Sequence, residues 1–348
     1  MRHALILAGG SGTRLWPYST AALPKQLVPL FDGRSLLDVA VERAQAVADE
    51  VWLGAGEQLR GAVSSVAGLR PDRLILEPSG RDTLPAVALG CATILAADPD
   101  AVIAVLTADH LIEPVEAFAA TLAEGFALAS PGTLVTFGVV PDAPATGFGY
   151  LELGEPLTGG ARVVSRFREK PDLPAAQGFL DAGPDRYLWN SGMFVWQAQT
   201  LLDAVDAFAP ETGRLVREVV AGHADAWGEI PKLSVDYGVM EPASTSPDFT
   251  VAALPMSATW LDVGSWPAYG EAVGTDDDGN AIAGRAIVSG STGCVVASND
   301  PGHLVTLVGC EGLVVVHTST ATLVMPAEQA QRVKDLHALV VEQAPDLA

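Results

Sequence analysis

Gly9, Gly10 and Gly12 follow the apolar run "ALIL", and Arg14 and Lys25 come close behind. Glycines reach backbone angles closed to other residues and let phosphate oxygens approach main-chain N–H groups. Arg14 offers a planar fork to such oxygens, and Lys25, set by Pro24, a mobile point charge. The same residue types also suit a plain turn after a strand. No Gly-Lys-Ser/Thr follows, so the loop is not a Walker A loop. Nor does it complete GxGxxG, and no acid closes the next apolar run, "EVWLGAG". A NAD-dependent enzyme is thereby disfavoured.

Further chemistry-bearing residues stand at the ends of apolar runs. Asp109 in "LTADH" and Asp262 in "WLDVG" stand after apolar runs, where spacing alone favours caps or turn residues. Glu77 closes "LILEP" and could cap the helix expected near Thr83. Lys170 precedes a proline in "REKPD", where a solvated surface lysine is the plain alternative. In "SVDYGVMEP", Asp236 and Glu241 either line a polar pocket or cap the helix they introduce, with capping favoured. Trp260 and Trp266 flank Asp262 and are expected to pack rather than stack on a ligand.

Alternating elements must position these groups. "HALILAG", "EVWLGAG", "DRLILEP", "AVIAVLTADH" and "GTLVTFGVV" read as buried strands. "SLLDVAVERAQAV", "LPAVALGCATILAA" and "AFAATLAEGFALA" read as the helices between them. That alternation predicts a Rossmann-like α/β/α sandwich around a mainly parallel, mixed sheet. Ligands in such sheets bind beyond the carboxyl ends of the strands, where "AGGSGTR" and "TADH" fall. After Pro267 short β-branched runs separated by Gly, Asn and Asp predict a small all-β unit with one final helix from about Ala327 to Val341. The expected division is residues 1–274 as catalytic domain and 275–348 as the β-rich tail.

Composition narrows the classes. Among 348 residues, 20 Lys and Arg stand against 42 Asp and Glu, for a net charge of −22. Nucleic acid is excluded as a partner because backbone binding needs clustered cations. An anionic substrate must be captured by local cations against an unfavourable overall field. The three cysteines show no metal or disulfide spacing, and no apolar run is long enough to span a bilayer, so a cytoplasmic, membrane-free protein is expected.

"LAGGSGTRLWPYS…PKQL" resembles the signature of sugar-nucleotide pyrophosphorylases, and "RLWP" with "PKQ" is most similar to bacterial mannose-1-phosphate guanylyltransferases. "EPSGRDTLPAVAL", "LTADHLI", "GFGYLE", "FREKPD", "WNSGMFVW", "VDYGVMEP" and "WLDVGSW" follow in the family's order, so the resemblance covers roughly residues 3 to 270. The tail is similar to the family's short, left-handed β-helix-like C-terminal region, and the sequence is too short for the isomerase domain of bifunctional relatives. The resemblance implies GMP transfer from GTP to α-D-mannose 1-phosphate, giving GDP-mannose and pyrophosphate with Mg²⁺. Arg14, Lys25 and Lys170 would be catalytic, Lys170 holding the sugar phosphate. Leu7, Gly9, Gly10, Gly12, Thr13, Glu77, Arg81 and Thr83 would line the nucleotide, with Glu77 accepting guanine's N1–H and N2–H₂. Gly149, Glu169 and Asn190 would meet the sugar, and Asp109 and Asp262 the metal. His110 is not needed as a base, since a sugar phosphate is already ionised. A homodimer is expected through the tail. Alternatives are a glucose-1-phosphate enzyme using dTTP or UTP, or a non-catalytic nucleotide-sugar-binding regulator. Thr20, Asp82 and Leu27 depart from the arginine, asparagine and phenylalanine usual in the pattern.

Overall fold

The structure, a computed structural model, describes every residue except Ser11, Ala21, Asp32 and Ala348. The chain divides into two compact units that interleave in sequence. One comprises residues 1–9, 40–108 and 112–259, the other residues 10–39, 109–111 and 260–348. The expected cut at residue 274 follows the change in composition. By contacts, the segments carrying Lys25, Asp109 and Asp262 group with the tail instead.

The first unit is built on a nine-stranded sheet. Its order is Leu74–Glu77, Glu50–Gly56, Arg2–Leu7, Val102–Thr107, Tyr187–Gln197, Thr133–Val139, Thr250–Pro255, Arg162–Arg168 and Tyr150–Pro156. The first four strands are parallel. Such strands are covered on both faces and need continuous apolar runs, and Ala4, Leu5 and Ile6 are fully buried. Tyr187–Gln197 runs antiparallel to both neighbours, making the sheet mixed as expected. Leu7 pairs with Gly54 and Thr107, and Gly56 with Glu77, so these strands end nearly level. The helices expected around "LPAVALGCATILAA" and "AFAATLAEGFALA" span Thr83–Ala97 and Val115–Leu128. The first is apolar on nearly every face, because it packs inside a core shared with Trp196, Leu201, Leu215 and Trp227.

In the second unit, parallel rungs Ala281–Ala283, Val295–Ser298 and Leu313–His317 stack side by side, and Ala286–Ser289 pairs in parallel with Val305–Val308. Coiling rungs of this kind make a β-helix-like unit. An antiparallel strand, Thr322–Pro326, closes it, followed by a 3₁₀ segment, Ala327–Arg332, and the helix Val333–Gln343. Its core joins Leu15, Trp16, Tyr18 and Val28 to Val263, Trp266, Tyr269, Val314 and Val316. Trp266 is fully buried there, edge-on to Tyr18, in the packing role expected. No helix among the described residues is long and apolar enough to cross a membrane.

Candidate active site

Gly10 and Gly12 have φ of 87° and 60°, in the left-handed region that favours glycine. A Cβ on Gly12 would meet Lys25 Cβ at 2.5 Å, so the turn and the lysine stem share a space that only glycine leaves open. Ser19 Oγ donates to Gly12 O at 2.7 Å and pins the turn. Lys25 opens a short 3₁₀ segment after Pro24, and its stem is buried.

The Lys25 ammonium bridges two carboxylates. It lies 2.7 Å from Asp109 Oδ2 and 3.7 Å from Asp262 Oδ1. Arg14 joins them: a Cβ on Gly264 would stand 3.1 Å from Arg14 Nη2 and 3.2 Å from Asp262 Oδ1. Burial pushes the Asp109 carboxyl up, but His110 and Lys25 outweigh it and hold the group below the usual aspartate range. Trp260 Nε1 donates to His110 Nδ1 at 3.0 Å, which fixes the ring edge-on against the indole. All these residues belong to the second unit, together with Thr13 in the turn Thr13–Leu15.

These donors suit a divalent ion. Asp262 Oδ1 is buried without a hydrogen-bond partner, and two carboxylates converge on one cation. Two carboxylates completed by phosphate oxygens and waters is the usual set for magnesium.

In the first unit, Leu7 ends its strand and Gly9 follows it in the loop. Glu77 ends its strand nearly buried, and burial pushes its carboxyl up to about 7. The cap of the helix Thr83–Ala97 is not Glu77. Asp82 Oδ1 accepts from Thr83 N at 2.7 Å, with Asp82 at φ 69°. Thr83 Oγ1 accepts from Val235 N at 2.9 Å. Arg81 donates to the carbonyls of Gly228 and Ile230, so its guanidinium is tied to backbone. In the second unit Thr20, another of the three departures, closes a turn in which its Oγ1 accepts from Leu23 N.

A second cluster in the first unit gathers Gly149, Glu169, Lys170, Asn190 and Asp236. Asn190 N donates to Gly149 O at 2.8 Å, and a Cβ on Gly149 would meet Glu169 Oε2 at 2.5 Å. Lys170 pairs with the buried Glu169 carboxylate and takes φ 44°. Asn190 Oδ1 accepts from Thr136 Oγ1 at 2.8 Å, and Asn190 Nδ2 donates to Asp236 Oδ1 at 3.0 Å. Asp236 therefore does not cap the π-helical turn Asp236–Met240; its side chain turns to Asn190, and the capping expectation fails. Burial first, then Glu169, raises the Asp236 carboxyl from 3.8 to about 7. Between pH 4 and 7 the folded protein keeps a proton that the unfolded chain has released, so stability falls as pH rises through this window. Asp236→Asn should flatten that part of the Tm–pH profile by on the order of a few degrees. An unchanged slope would place the titration elsewhere.

The nucleotidyl transferase family matches residues 3–278. The chain belongs to that family. The mannose-phosphate isomerase/GMP-like β-helix domain family matches residues 284–342 of this nucleotidyltransferase. The mannose-1-phosphate guanylyltransferases of Klebsiella pneumoniae and Escherichia coli are each 38% identical over 349 residues, 95% of this chain and 72% of theirs. A crystal structure from Thermus thermophilus, described as a mannose-1-phosphate geranyltransferase, superposes with a TM-score of 0.88 at 32% identity. It covers 97% of this chain and 99% of that one. This nucleotidyltransferase is thus an enzyme that groups with mannose-1-phosphate guanylyltransferases. Its family acts on a nucleoside triphosphate and a sugar 1-phosphate and works with a divalent metal ion.

Proposed function

We propose that the protein transfers GMP from GTP to α-D-mannose 1-phosphate, releasing pyrophosphate and forming GDP-mannose. The observation that carries this reading is the Lys25 ammonium held between Asp109 and Asp262 beside a glycine turn. Joining two phosphate-bearing reactants asks the protein mainly for alignment and charge neutralisation. The main-chain amides around Gly9, Gly10 and Gly12 and the Arg14 fork take the triphosphate oxygens, Thr13 and Leu7 border them, and Lys25 neutralises charge near the α-phosphate. Asp109 and Asp262 would hold Mg²⁺, which would supply charge neutralisation for the phosphates. Lys170 holds the sugar phosphate, leaving Glu169 to accept from sugar hydroxyls. Asn190, its carbonyl already taken by Thr136, offers its remaining N–H. No general base is needed, because the attacking phosphate oxygen is ionised at neutral pH.

Glu77 reads the base, flanked by Thr83 and Arg81. Only an ionised carboxylate accepts from both N1–H and N2–H₂ of guanine, and the Glu77 carboxyl sits at about 7. The KM for GTP is therefore expected to fall as pH rises from 6 to 8. In Glu77→Gln that dependence should vanish and the preference for GTP over UTP should drop about tenfold or more. A variant with the wild-type pH profile would remove Glu77 from the base site.

The decisive experiment is pyrophosphate release with four nucleotides against four sugar 1-phosphates. GTP with mannose 1-phosphate should give the highest kcat/KM. A strong preference for dTTP or UTP would overturn the guanylyl assignment, and binding without release would overturn catalysis.

A further inference from the structure

The segment after the last β strand reaches the phosphate turn directly. Gln331, on the 3₁₀ segment Ala327–Arg332, accepts at Oε1 from Arg14 Nη1 at 3.0 Å. The same turn is tied at its base by two further bonds: Trp16 Nε1 donates to Leu347 O at 2.9 Å, and Trp266 Nε1 donates to Trp16 O at 3.0 Å. Leu15, next to Arg14, is fully buried in the core formed with Trp266, Val314 and Val333. Packing thus fixes the backbone of the turn, and Gln331 fixes the tip of its arginine.

We propose that Gln331 is a positioning residue for the triphosphate, holding the Arg14 guanidinium pre-oriented for phosphate oxygens. The inference rests on the reading of Arg14 as a phosphate ligand. A long arginine side chain loses rotamer freedom when it grips a ligand, and a bond made in the free protein moves that loss into folding. Guanidinium carries five N–H donors, and one acceptor at Nη1 leaves the others for phosphate. The acceptor is a neutral amide. A carboxylate there would cancel the arginine's charge and repel the incoming anion, whereas an amide orients the group and leaves its charge intact. The segment that follows the β-helix-like rungs thereby acquires a part in nucleotide capture.

Gln331 is exposed, so replacing it leaves the fold in place. Gln331→Met keeps the length and removes the acceptor; Gln331→Ala serves as a second variant. With GTP and mannose 1-phosphate varied independently, each should raise the KM for GTP about three- to tenfold, the range of a partly exposed bond to a charged group. The kcat and the KM for the sugar phosphate should stay within about twofold, an asymmetry a general loss of structure does not produce. In an Arg14→Lys background, where no fork remains to orient, Gln331→Met should add nothing further. An unchanged KM for GTP, a parallel fall in kcat with both KM values rising, or an undiminished effect in the Arg14→Lys background would each overturn the proposal. If Arg14→Lys alone leaves the KM for GTP unchanged, Arg14 leaves the phosphate site and this inference goes with it. If Arg14→Lys is strongly impaired while the Gln331 variants are silent, Gln331 alone is excluded and the assigned reaction stands.

Discussion

Lys25→Ala should lower kcat/KM by about 10²–10³, the usual cost of removing one group that stabilises charge developing in a transition state. The loss should appear in capture of the triphosphate as well as in turnover, because the lysine stem packs against the glycine turn. A second consequence separates this from simple damage. With the ammonium gone, Asp109 and Asp262 lose the cation they share, and a divalent ion becomes its natural replacement. The substrate-free variant should therefore bind Mg²⁺ or Mn²⁺ more tightly than the wild type in a calorimetric titration, while turning over more slowly. Wild-type turnover in the variant would remove Lys25 from the site, and weaker metal binding would show that the two carboxylates do not share one ion.

Asp109→Asn should be comparably damaging with the opposite metal signature. The amide keeps the shape and loses the charge, so turnover should again fall by about 10²–10³. The divalent-ion concentration giving half-maximal rate should rise by more than about tenfold, a loss seen even for partners one shell out from a metal. Lys25 would keep only the longer contact to Asp262, so its grip on triphosphate should change less than its partner's grip on metal. A rate loss with an unchanged metal requirement would assign Asp109 to holding Lys25 alone.

Much of the sheet was legible because parallel strands must be apolar on both faces. "HALILAG" and "AVIAVLTADH" cannot be amphipathic helices of useful length, and they become Arg2–Leu7 and Val102–Thr107. Local pattern carries no such information about distant partners. Nothing in "GTRLWPYS" says that Trp16 will pack beside Trp266 or bond to Leu347, so the grouping of residues 10–39 with the tail could not be read. Asp236 failed for a related reason: an acid at the start of a helical pattern is statistically a cap, and only the neighbouring strand shows that Asn190 claims it. Gln331 gave no signal at all, being one exposed polar residue among several in "AEQAQR". Glu77 was the reverse case. Its competing role as helix cap was open in the sequence, and Asp82 takes that role in the structure.

The interleaving of the two units bears on how the molecule is made. Ribosomes deliver Gly10–Val39 early, yet Trp16 finds Trp266 only after 250 further residues have been polymerised, and its bond to Leu347 comes later still. Until then Leu15, Trp16, Tyr18 and Val28 have no core to enter and remain a sticky, solvent-facing strip on a nascent chain. Such delayed closure exposes apolar surface to aggregation and recruits chaperones. Competence to grip a nucleotide would thus be among the last properties the polypeptide acquires during synthesis.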